Sequence, residues 1–319
     1  MHAWLGISLL IPLVLVALSG AGLSFAREVD RVLAPELWTV SPPDGVAPFA
    51  PEAIRAAAER YWPAERIVRL EMPRNAQDTA LAILVDAEGA HRQVFIDPYR
   101  GKPQGYRPLV GDPRGWLGFF HRSLTLGSAG HWLVLLAGAG LFVLYLSGRG
   151  GRGSVKKSRM VRVHGRLVSV GGWFWMICAA SGLLAALIGS SLDPGAPPSG
   201  ESVVATQAGW QAGWENACPG REIDTIWWLG DGRLAMRCHQ AGSIGPFGVA
   251  YYLPSGEMTA AGMQDWLSAI HDGSLFGTGG RVLWFWAMLL LPATMVLGVV
   301  AWWRRRVVGQ AASETETIT

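Results

Sequence analysis

The sequence predicts a membrane protein with four transmembrane α-helices in two tandem parallel repeats, each carrying an α+β insert on the outer face. Three observations lead to this prediction: half of the 319 residues are hydrophobic, only 16% are charged, and the apolar residues fall in blocks. A soluble domain carries nearer a quarter charged residues. Many of the 16 tryptophans stand near the ends of the blocks, where a membrane-interface belt would place them.

Four apolar blocks are each long enough to cross a bilayer, which needs about 20 residues. They occupy residues 1–26, 128–148, 167–190 and 282–303. The first block has a rival interpretation as a signal peptide, because Ser24-Phe25-Ala26 resembles a cleavage site. Its apolar stretch is long for a signal peptide and no Lys or Arg precedes it, so the sequence favours a retained helix.

Basic residues set the orientation, because Lys and Arg are enriched in cytoplasmic loops. They concentrate in residues 149–166 and in residues 304–319, both beside apolar blocks. This distribution favours membrane topology over nucleic-acid binding. Both basic segments and both termini are therefore predicted to be cytoplasmic, in the inner membrane of a bacterium. The first basic segment is also a candidate docking site for a cytoplasmic electron donor.

Two long segments, residues 27–127 and 191–281, are then predicted to lie in the periplasm as α+β modules. In the first, Pro51 suits a first helical position and predicts a short helix over Glu52–Trp62. The second begins with a Pro-, Gly- and Ser-rich stretch at residues 193–200. The predicted strands are Ile67–Met72, Thr79–Val85 and Arg92–Ile96 in the first segment, and Asp224–Leu229, Arg233–Cys238 and Gly248–Leu253 in the second.

The three cysteines carry limited information. Cys218 and Cys238 flank a predicted hairpin strand in the second periplasmic segment. An oxidising compartment permits a disulfide between them, and two unrelated thiols are the alternative. Cys178 lies inside the third apolar block, where we expect it to be part of the helix packing.

Identical residues recur at two constant spacings, which indicates an internal repeat. At a spacing of 162 residues the third block repeats the first, and at a spacing of 150 residues the fourth block and its approach repeat the second. Each repeat crosses the membrane twice, so the two repeats have the same orientation and are related by an axis along the membrane normal. The matches are His2, Leu5, Ala17, Ser19 and Gly20 with His164, Leu167, Ala179, Ser181 and Gly182, and His121, Gly127, Gly130 and Leu133 with His271, Gly277, Gly280 and Leu283.

The repeat places four histidines in two pairs at matching depths. His2 and His164 stand at the cytoplasmic ends of their helices, and His121 and His271 stand just outside the membrane. Two facing imidazoles suit the axial positions of a haem iron, and imidazole is largely neutral at pH 7. The sequence therefore predicts two haem groups, one per face, as a path for electrons. The alternative to metal binding, for any one of these histidines, is an interfacial or helix-capping role.

Further residues are candidates for contact with the same cofactor. Arg122, Arg166 and Arg281 are cations near the interface, as haem propionates require. His131 is a rival outer ligand, but its repeat counterpart is Arg281, which favours propionate or interface contact for both. The sequence has no phosphate-binding loop, dinucleotide fingerprint or nucleophile elbow. We therefore expect a separate cytoplasmic donor, or quinol, to supply the electrons.

Four groups of residues form short motifs that are spread along the chain. The groups are Phe120-His121-Arg122-Ser123-Leu124 with Gly127 and Gly130-His131-Trp132; Ile270-His271-Asp272-Gly273 with Phe276-Gly277 and Gly280-Arg281; Val94-Phe95-Ile96-Asp97-Pro98-Tyr99-Arg100-Gly101; and His2 with Trp4-Leu5-Gly6. With these motifs the sequence resembles one bacterial family, the PepSY-associated transmembrane family, and the resemblance covers nearly the whole chain.

Members of that family are similar to inner-membrane ferric-siderophore reductases that carry b-type haem. The resemblance implies PepSY-like periplasmic modules and an oxidoreductase that reduces siderophore-bound Fe(III), releasing Fe(II) for iron uptake. By motif position it implies His121 and His271 as outer haem ligands and His2 and His164 as inner ones. One rival is a non-enzymatic PepSY module that binds or regulates a peptidase or envelope partner. Another is a transporter subunit for intact siderophore, which the apolar spans disfavour.

Overall fold

The structure of the protein, a computed structural model, describes residues 2–149, 158–187, 218–228, 234–252 and 258–316. Residues 150–157 of the predicted basic loop and the stretch at residues 193–200 lie outside them. The helices are α1 (His2–Ser8), α2 (Leu10–Leu23), α3 (Ala26–Leu33), α4 (Pro35–Trp38), α5 (Pro51–Tyr61), α6 (Pro113–Ser123), α7 (Gly127–Arg149), α8 (Arg159–Leu187), α9 (Met263–Asp272) and α10 (Gly277–Glu316). The strands are β1 (Arg66–Glu71), β2 (Ala80–Val85), β3 (His91–Ile96), β4 (Pro103–Pro108), β5 (Glu222–Trp228), β6 (Leu234–His239), β7 (Val249–Tyr252) and β8 (Met258–Ala260).

The chain divides into two compact units, a helical unit and a sheet unit. The helical unit comprises residues 1–24, 117–190 and 267–319, and the sheet unit comprises residues 25–116 and 191–266. Each unit is therefore assembled from separate stretches of sequence.

Among the described residues, α7, α8 and α10 are each long and apolar enough to cross a membrane. The first apolar block is different, because α1 and α2 meet at a bend of 59° and would form a fourth span only if counted together. Pro12, in the first turn of α2, explains the break. A proline lacks the amide hydrogen and its ring clashes with the carbonyl four residues earlier, here that of Ser8 at the end of α1.

Apolar residues at helical spacing form the core of the helical unit. On α10 the buried residues Trp284, Met288, Leu291 and Met295 recur every three or four positions, as one face of a helix requires. They pack with buried residues of the other three apolar segments. These partners are Leu13, Ala17 and Ala21 on α2, Ala137, Leu141 and Leu144 on α7, and Trp175 and Met176 on α8.

Two glycines let the short helices α6 and α9 approach the helices that follow them. A Cβ atom at Gly130 would collide with the carbonyl oxygen of Ser123, and a Cβ atom at Gly280 would collide with that of Gly273. Both contacts join the end of a short helix to the first turns of the next long one. The glycines therefore fix where α6 and α9 end, and these helices carry His121 and His271.

The sheet unit contains one antiparallel sheet with the strand order β4-β3-β2-β1-β5-β6-β7-β8. Its centre is the pairing of β1 with β5, in which Leu70 lies opposite Ile226. The two segments predicted as separate modules therefore share one sheet. Each supplies four strands, and each covers the edge that the other would leave unpaired.

One core lies on a face of this sheet and draws on both segments. Ile54 and Ala58 of α5 pack against the buried residues Leu70 and Ile226, so the helix predicted from Pro51 covers the middle of the sheet. Cys218 and Cys238 belong to the same core and form a disulfide, with Cα atoms 5.9 Å apart.

Several predicted bounds need correction. Helix α8 begins at Arg159, eight residues before the predicted position, so His164 and Arg166 stand in the helix and not in a loop. Helix α10 continues through Glu316, so most of the predicted tail is helical. The six predicted strands are present, but β4 and β8 were not predicted. Strand β4 begins and ends with proline, which suits an edge strand. The same prolines obscure the residue pattern by which a strand is predicted from sequence.

Candidate metal centre formed by paired histidines

The helical unit brings His121 and His271 together. Their ring centres are 6.0 Å apart, with an angle of 67° between the ring planes. His121 is near the end of α6 and His271 is near the end of α9, and both side chains are half-buried. The two short helices therefore present one imidazole each to the same place.

His121 rests against three residues of α2. Its Nδ1 atom lies 3.0 Å from the carbonyl oxygen of Val16 and 3.1 Å from the hydroxyl oxygen of Ser19. The ring lies so close to Gly20 that a Cβ atom there would be 2.9 Å from Cε1. Helix α2 thus holds the ring on one side through Nδ1.

His271 makes the same contacts with α8. Its Nδ1 atom lies 3.0 Å from the carbonyl oxygen of Cys178 and 3.3 Å from the hydroxyl oxygen of Ser181. A Cβ atom at Gly182 would be 2.9 Å from Cε1. Cys178, expected to be part of the helix packing, also places its sulfur atom 3.7 Å from Nδ1. These three residues follow Val16, Ser19 and Gly20 at the constant spacing of 162 residues.

His2 and His164 form a second pair, with ring centres 6.4 Å apart and a plane angle of 74°. The Nδ1 atom of His2 lies 2.9 Å from the hydroxyl oxygen of Ser147, and that hydroxyl donates to the carbonyl oxygen of Leu144 at 3.1 Å. The Nδ1 atom of His164 lies 2.9 Å from the carbonyl oxygen of Thr294. Leu144 and Thr294 are themselves 150 residues apart.

Glycines also face the rings of this second pair. A Cβ atom at Gly148 would be 3.2 Å from Cε1 of His2, and one at Gly298 would be 2.9 Å from Cε1 of His164. Each of the four histidines therefore has a glycine against its ring, and His121, His271 and His164 also donate from Nδ1 to a backbone carbonyl oxygen of a neighbouring helix.

The hydrogen bonds determine which ring nitrogen is available. A carbonyl oxygen accepts a hydrogen bond, so a hydrogen on Nδ1 satisfies each contact and leaves a lone pair on Nε2. Metal-binding histidines commonly donate the other ring N–H in this way, which fixes the ring orientation. Each pair can therefore offer two Nε2 donors.

The distance between the ring centres in each pair matches the distance expected for two imidazoles bound to one metal ion. Two imidazoles on opposite sides of a metal, with metal–nitrogen bonds of about 2 Å, have ring centres about 6 Å apart. The observed separations are 6.0 and 6.4 Å. Within the described ranges no group of three or more His, Cys, Asp or Glu side chains could hold a metal ion. A two-imidazole donor set fits a group that brings its own equatorial ligands, such as a haem.

A metal ligand must be a neutral imidazole. Burial, and then the neighbouring His271 ring, lower the pKa of His121 to about 3. Burial also acts to lower the pKa of His271, but interactions with Cys178 act against it and raise that pKa to about 9. His121 is therefore neutral at pH 7, and a metal ion that binds at His271 must displace the proton from that ring.

The other predicted site residues are Arg281, Arg122, Arg166 and His131. Arg281 donates from Nε to the carbonyl oxygen of Ser24 at 2.9 Å, which ties the first turns of α10 to the end of α2. Arg122 and Arg166 are exposed on α6 and α8. His131 is exposed in α7, with its ring 6.4 Å from that of Trp132. Their roles toward haem propionates, and that of His131 as a rival ligand, stay predictions.

Sequence reasoning missed several of the residues that surround the rings. Gly148 and Gly298 share the spacing of 150 residues and were detectable from the repeat. The acceptors Val16 and Cys178 were not, because a backbone carbonyl leaves the side chain free to differ between the repeats.

These features define a multi-pass membrane protein with apolar helices and two histidine pairs suited to metal binding. A family model described as PepSY-associated TM region matches residues 1–305. The chain therefore belongs to the PepSY-associated transmembrane family, which confirms the resemblance found in its sequence. Comparison with curated protein sequences gives no match.

Proposed function

We propose that this protein is a haem-carrying reductase of the bacterial inner membrane with both termini in the cytoplasm. It passes electrons across the membrane to a periplasmic ferric siderophore and releases Fe(II) for iron uptake. The observation that supports this most strongly is the pair of ring separations, 6.0 Å for His121 and His271 and 6.4 Å for His2 and His164.

The proposed architecture has four spans in two tandem repeats, with the bent pair α1 and α2 as the first span. The repeated contacts support it. His121 touches Val16, Ser19 and Gly20, and His271 touches the three residues that stand 162 positions later. Chance similarity of sequence would not reproduce the same set of contacts in space.

Helix α8 supports one site near each membrane face. His164 lies near its beginning, and Gly182, which contacts His271, lies 18 residues later in the same helix. At about 1.5 Å per residue this separates the two sites by about 27 Å along the axis. The hydrocarbon core of a bilayer is about 30 Å thick. The two histidine pairs thus suit the two faces.

The protein residues hold and orient the ligands. Hydrogen bonds from Nδ1 to Val16, Cys178 and Thr294 fix the rings and make Nε2 a better donor. Haem iron, when bound at such a pair, supplies one-electron transfer at a potential set by the axial ligands and their burial. No acid–base residue is required. The electrons come from a cytoplasmic donor or from quinol.

The proposal is tested in proteoliposomes that enclose a reductant, with a ferric siderophore and an Fe(II)-trapping dye outside. We expect the dye to report Fe(II) with the intact protein. The H271A variant should stop the reaction, while H91A, at an exposed histidine of β3, should not. Absence of trapped Fe(II) with fully haem-loaded protein would overturn the reductase proposal. A haem-free protein that tolerates all four His→Ala changes would favour the non-enzymatic PepSY module instead.

A further inference from the structure

Two arginines contact one largely buried carboxylate in the sheet unit, and two more act on its charge. Glu71 ends β1, and its side chain is 12% exposed. Arg69 lies 2.9 Å from it and Arg27 lies 3.5 Å from it. Burial acts to raise the pKa of Glu71, but Arg69, Arg27, Arg114 and Arg74 outweigh it and hold the pKa below its ordinary value. We call these four residues the arginine cluster.

Glu71 does not neutralise the arginine cluster. The Nη1 atom of Arg27 is buried and makes no hydrogen bond. Arg74 is 54% exposed and approaches Asp224 only to 3.9 Å, while Arg237 binds the same carboxylate at 2.9 Å. For the guanidinium of Arg114, the described part of the chain offers no hydrogen bond or ion pair.

Arg27 is mostly buried, and burying a cationic group that is incompletely paired is costly unless a ligand supplies the missing charge. Guanidinium groups bind carboxylate, phosphate and similar oxygen anions by paired hydrogen bonds. Together with the positive charge of Arg74 and Arg114, this incomplete pairing favours an anionic ligand. Arg114 also stands in α6, the helix that carries His121.

We propose that the arginine cluster is the docking site for the ferric chelate, and that the chelate it accepts is anionic, with carboxylate or catecholate oxygens facing Arg27, Arg74 and Arg114. This inference rests on the proposed function and deepens it by naming the substrate class. The same charges would repel a cationic chelate. An anionic lipid headgroup offers similar oxygen chemistry, and Arg27 follows α2 by four residues, so the test must separate the two.

Binding is measured with gallium chelates, because Ga(III) resists reduction and reports docking without electron transfer. The full-length protein in neutral detergent is titrated with anionic gallium citrate, with an anionic gallium tris-catecholate and with a cationic gallium hydroxamate, and tryptophan fluorescence is followed. We expect at least one anionic chelate to bind and the cationic one to bind at least tenfold more weakly. Raising the salt concentration should weaken the anionic complex.

The R74Q/R114Q double variant should weaken anionic binding by about tenfold or more, because charge-assisted hydrogen bonds are lost. These two arginines are chosen because neither makes a hydrogen-bonded ion pair in the described structure, so the fold does not depend on them. R60Q, at an exposed arginine of α5, is the matched control and should bind as the intact protein does. Circular dichroism and the haem spectrum should not change in either variant.

Equal affinity for anionic and cationic chelates, or full affinity in R74Q/R114Q, would overturn the inference. So would binding of phosphatidylglycerol vesicles that depends on Arg74 and Arg114 while no anionic chelate binds. The proposed function fails separately: chelate binding without Fe(II) release contradicts the reductase alone. Fe(II) release that is unaffected in R74Q/R114Q contradicts the docking site alone.

Discussion

Gly20 lies directly against the imidazole of His121, so that a side-chain carbon there would be 2.9 Å from Cε1. The same relationship joins Gly182 to His271 at 2.9 Å. Glycine is needed at both positions because the imidazole ring occupies the space that a side chain on the helix would fill. The contact makes the bundle sensitive to a single added carbon.

The G20A variant should lose the haem that we propose to be bound by His121 and His271. The added methyl group would push the ring out of line, and overpacking of this kind costs about 1–3 kcal/mol. The pyridine haemochrome assay should give about one haem per chain instead of two. G279A is the matched control, because a Cβ atom at that α10 glycine meets no atom within 4 Å. Full haem content in G20A would show that the ring contact is irrelevant to binding.

Removing one histidine from each pair should act additively on haem content. H121A and H164A should each lose one haem, since each leaves one pair with a single imidazole, and H121A/H164A should lose both. The low-spin absorbance of a haem with two imidazoles should fall in the same steps. H91A should keep both groups. Retention of two haems in the double variant would exclude these residues as ligands.

Asp30 should stabilise the sheet unit in a pH-dependent way. Its buried carboxylate accepts hydrogen bonds from Trp38 at 2.9 Å and from Arg107 at 2.9 and 2.6 Å. Burial alone would raise the pKa of Asp30, but Arg107 and Trp38 outweigh it and hold the pKa below its ordinary value. The stabilisation is therefore complete above the unfolded pKa of about 3.9 and is lost as pH falls through the lower folded value.

D30N should consequently destabilise the sheet unit at neutral pH by about 3–5 kcal/mol, because it leaves Arg107 with a neutral partner. Proteolysis of the sheet unit during urea titration at pH 7 measures this change. D44N, at an exposed loop position, should behave as the intact protein does. The difference between D30N and the intact protein should shrink in acid, and a difference that grows there would contradict the assignment.

The disulfide between Cys218 and Cys238 should stabilise the sheet unit by about 3 kcal/mol. It closes a loop with a sequence separation of 20 residues, and closing such a loop restricts the unfolded chain. C218S/C238S should unfold at lower urea concentration than the intact protein. Thiol titration after denaturation should detect Cys178 alone before reduction and all three cysteines afterwards. Three reactive thiols without reductant would contradict the bond.

The sequence was most informative where a feature is local or repeated. Apolar blocks predicted α7, α8 and α10, and the constant spacings predicted that His121 would meet His271 and His2 would meet His164. The bend between α1 and α2 could have been predicted from Pro12, which stands inside the first apolar block. Composition alone shows only that the block is long enough to span a bilayer, not that its helix is broken.

Other features depend on contacts that no local pattern contains. The pairing of β1 with β5 joins Leu70 to Ile226, and the choice of a neighbouring strand is made by the assembled sheet. Helix α6 contains two glycines within eleven residues, which lowers its helix propensity. The sequence therefore did not predict this helix. The arginine cluster was not predicted because Arg27 and Glu71 are far apart in the chain and meet only in the fold.

The pairing of β1 with β5 also bears on how this protein could be divided. A polypeptide ending after α7 would carry four strands whose last edge is bare, and so would a polypeptide beginning at α8. Produced together, the two fragments should associate through the exposed edges of β1 and β5, as the halves of a split reporter do. Produced alone, each fragment should aggregate with copies of itself. The two halves of the chain therefore depend on each other, because neither half completes the sheet alone.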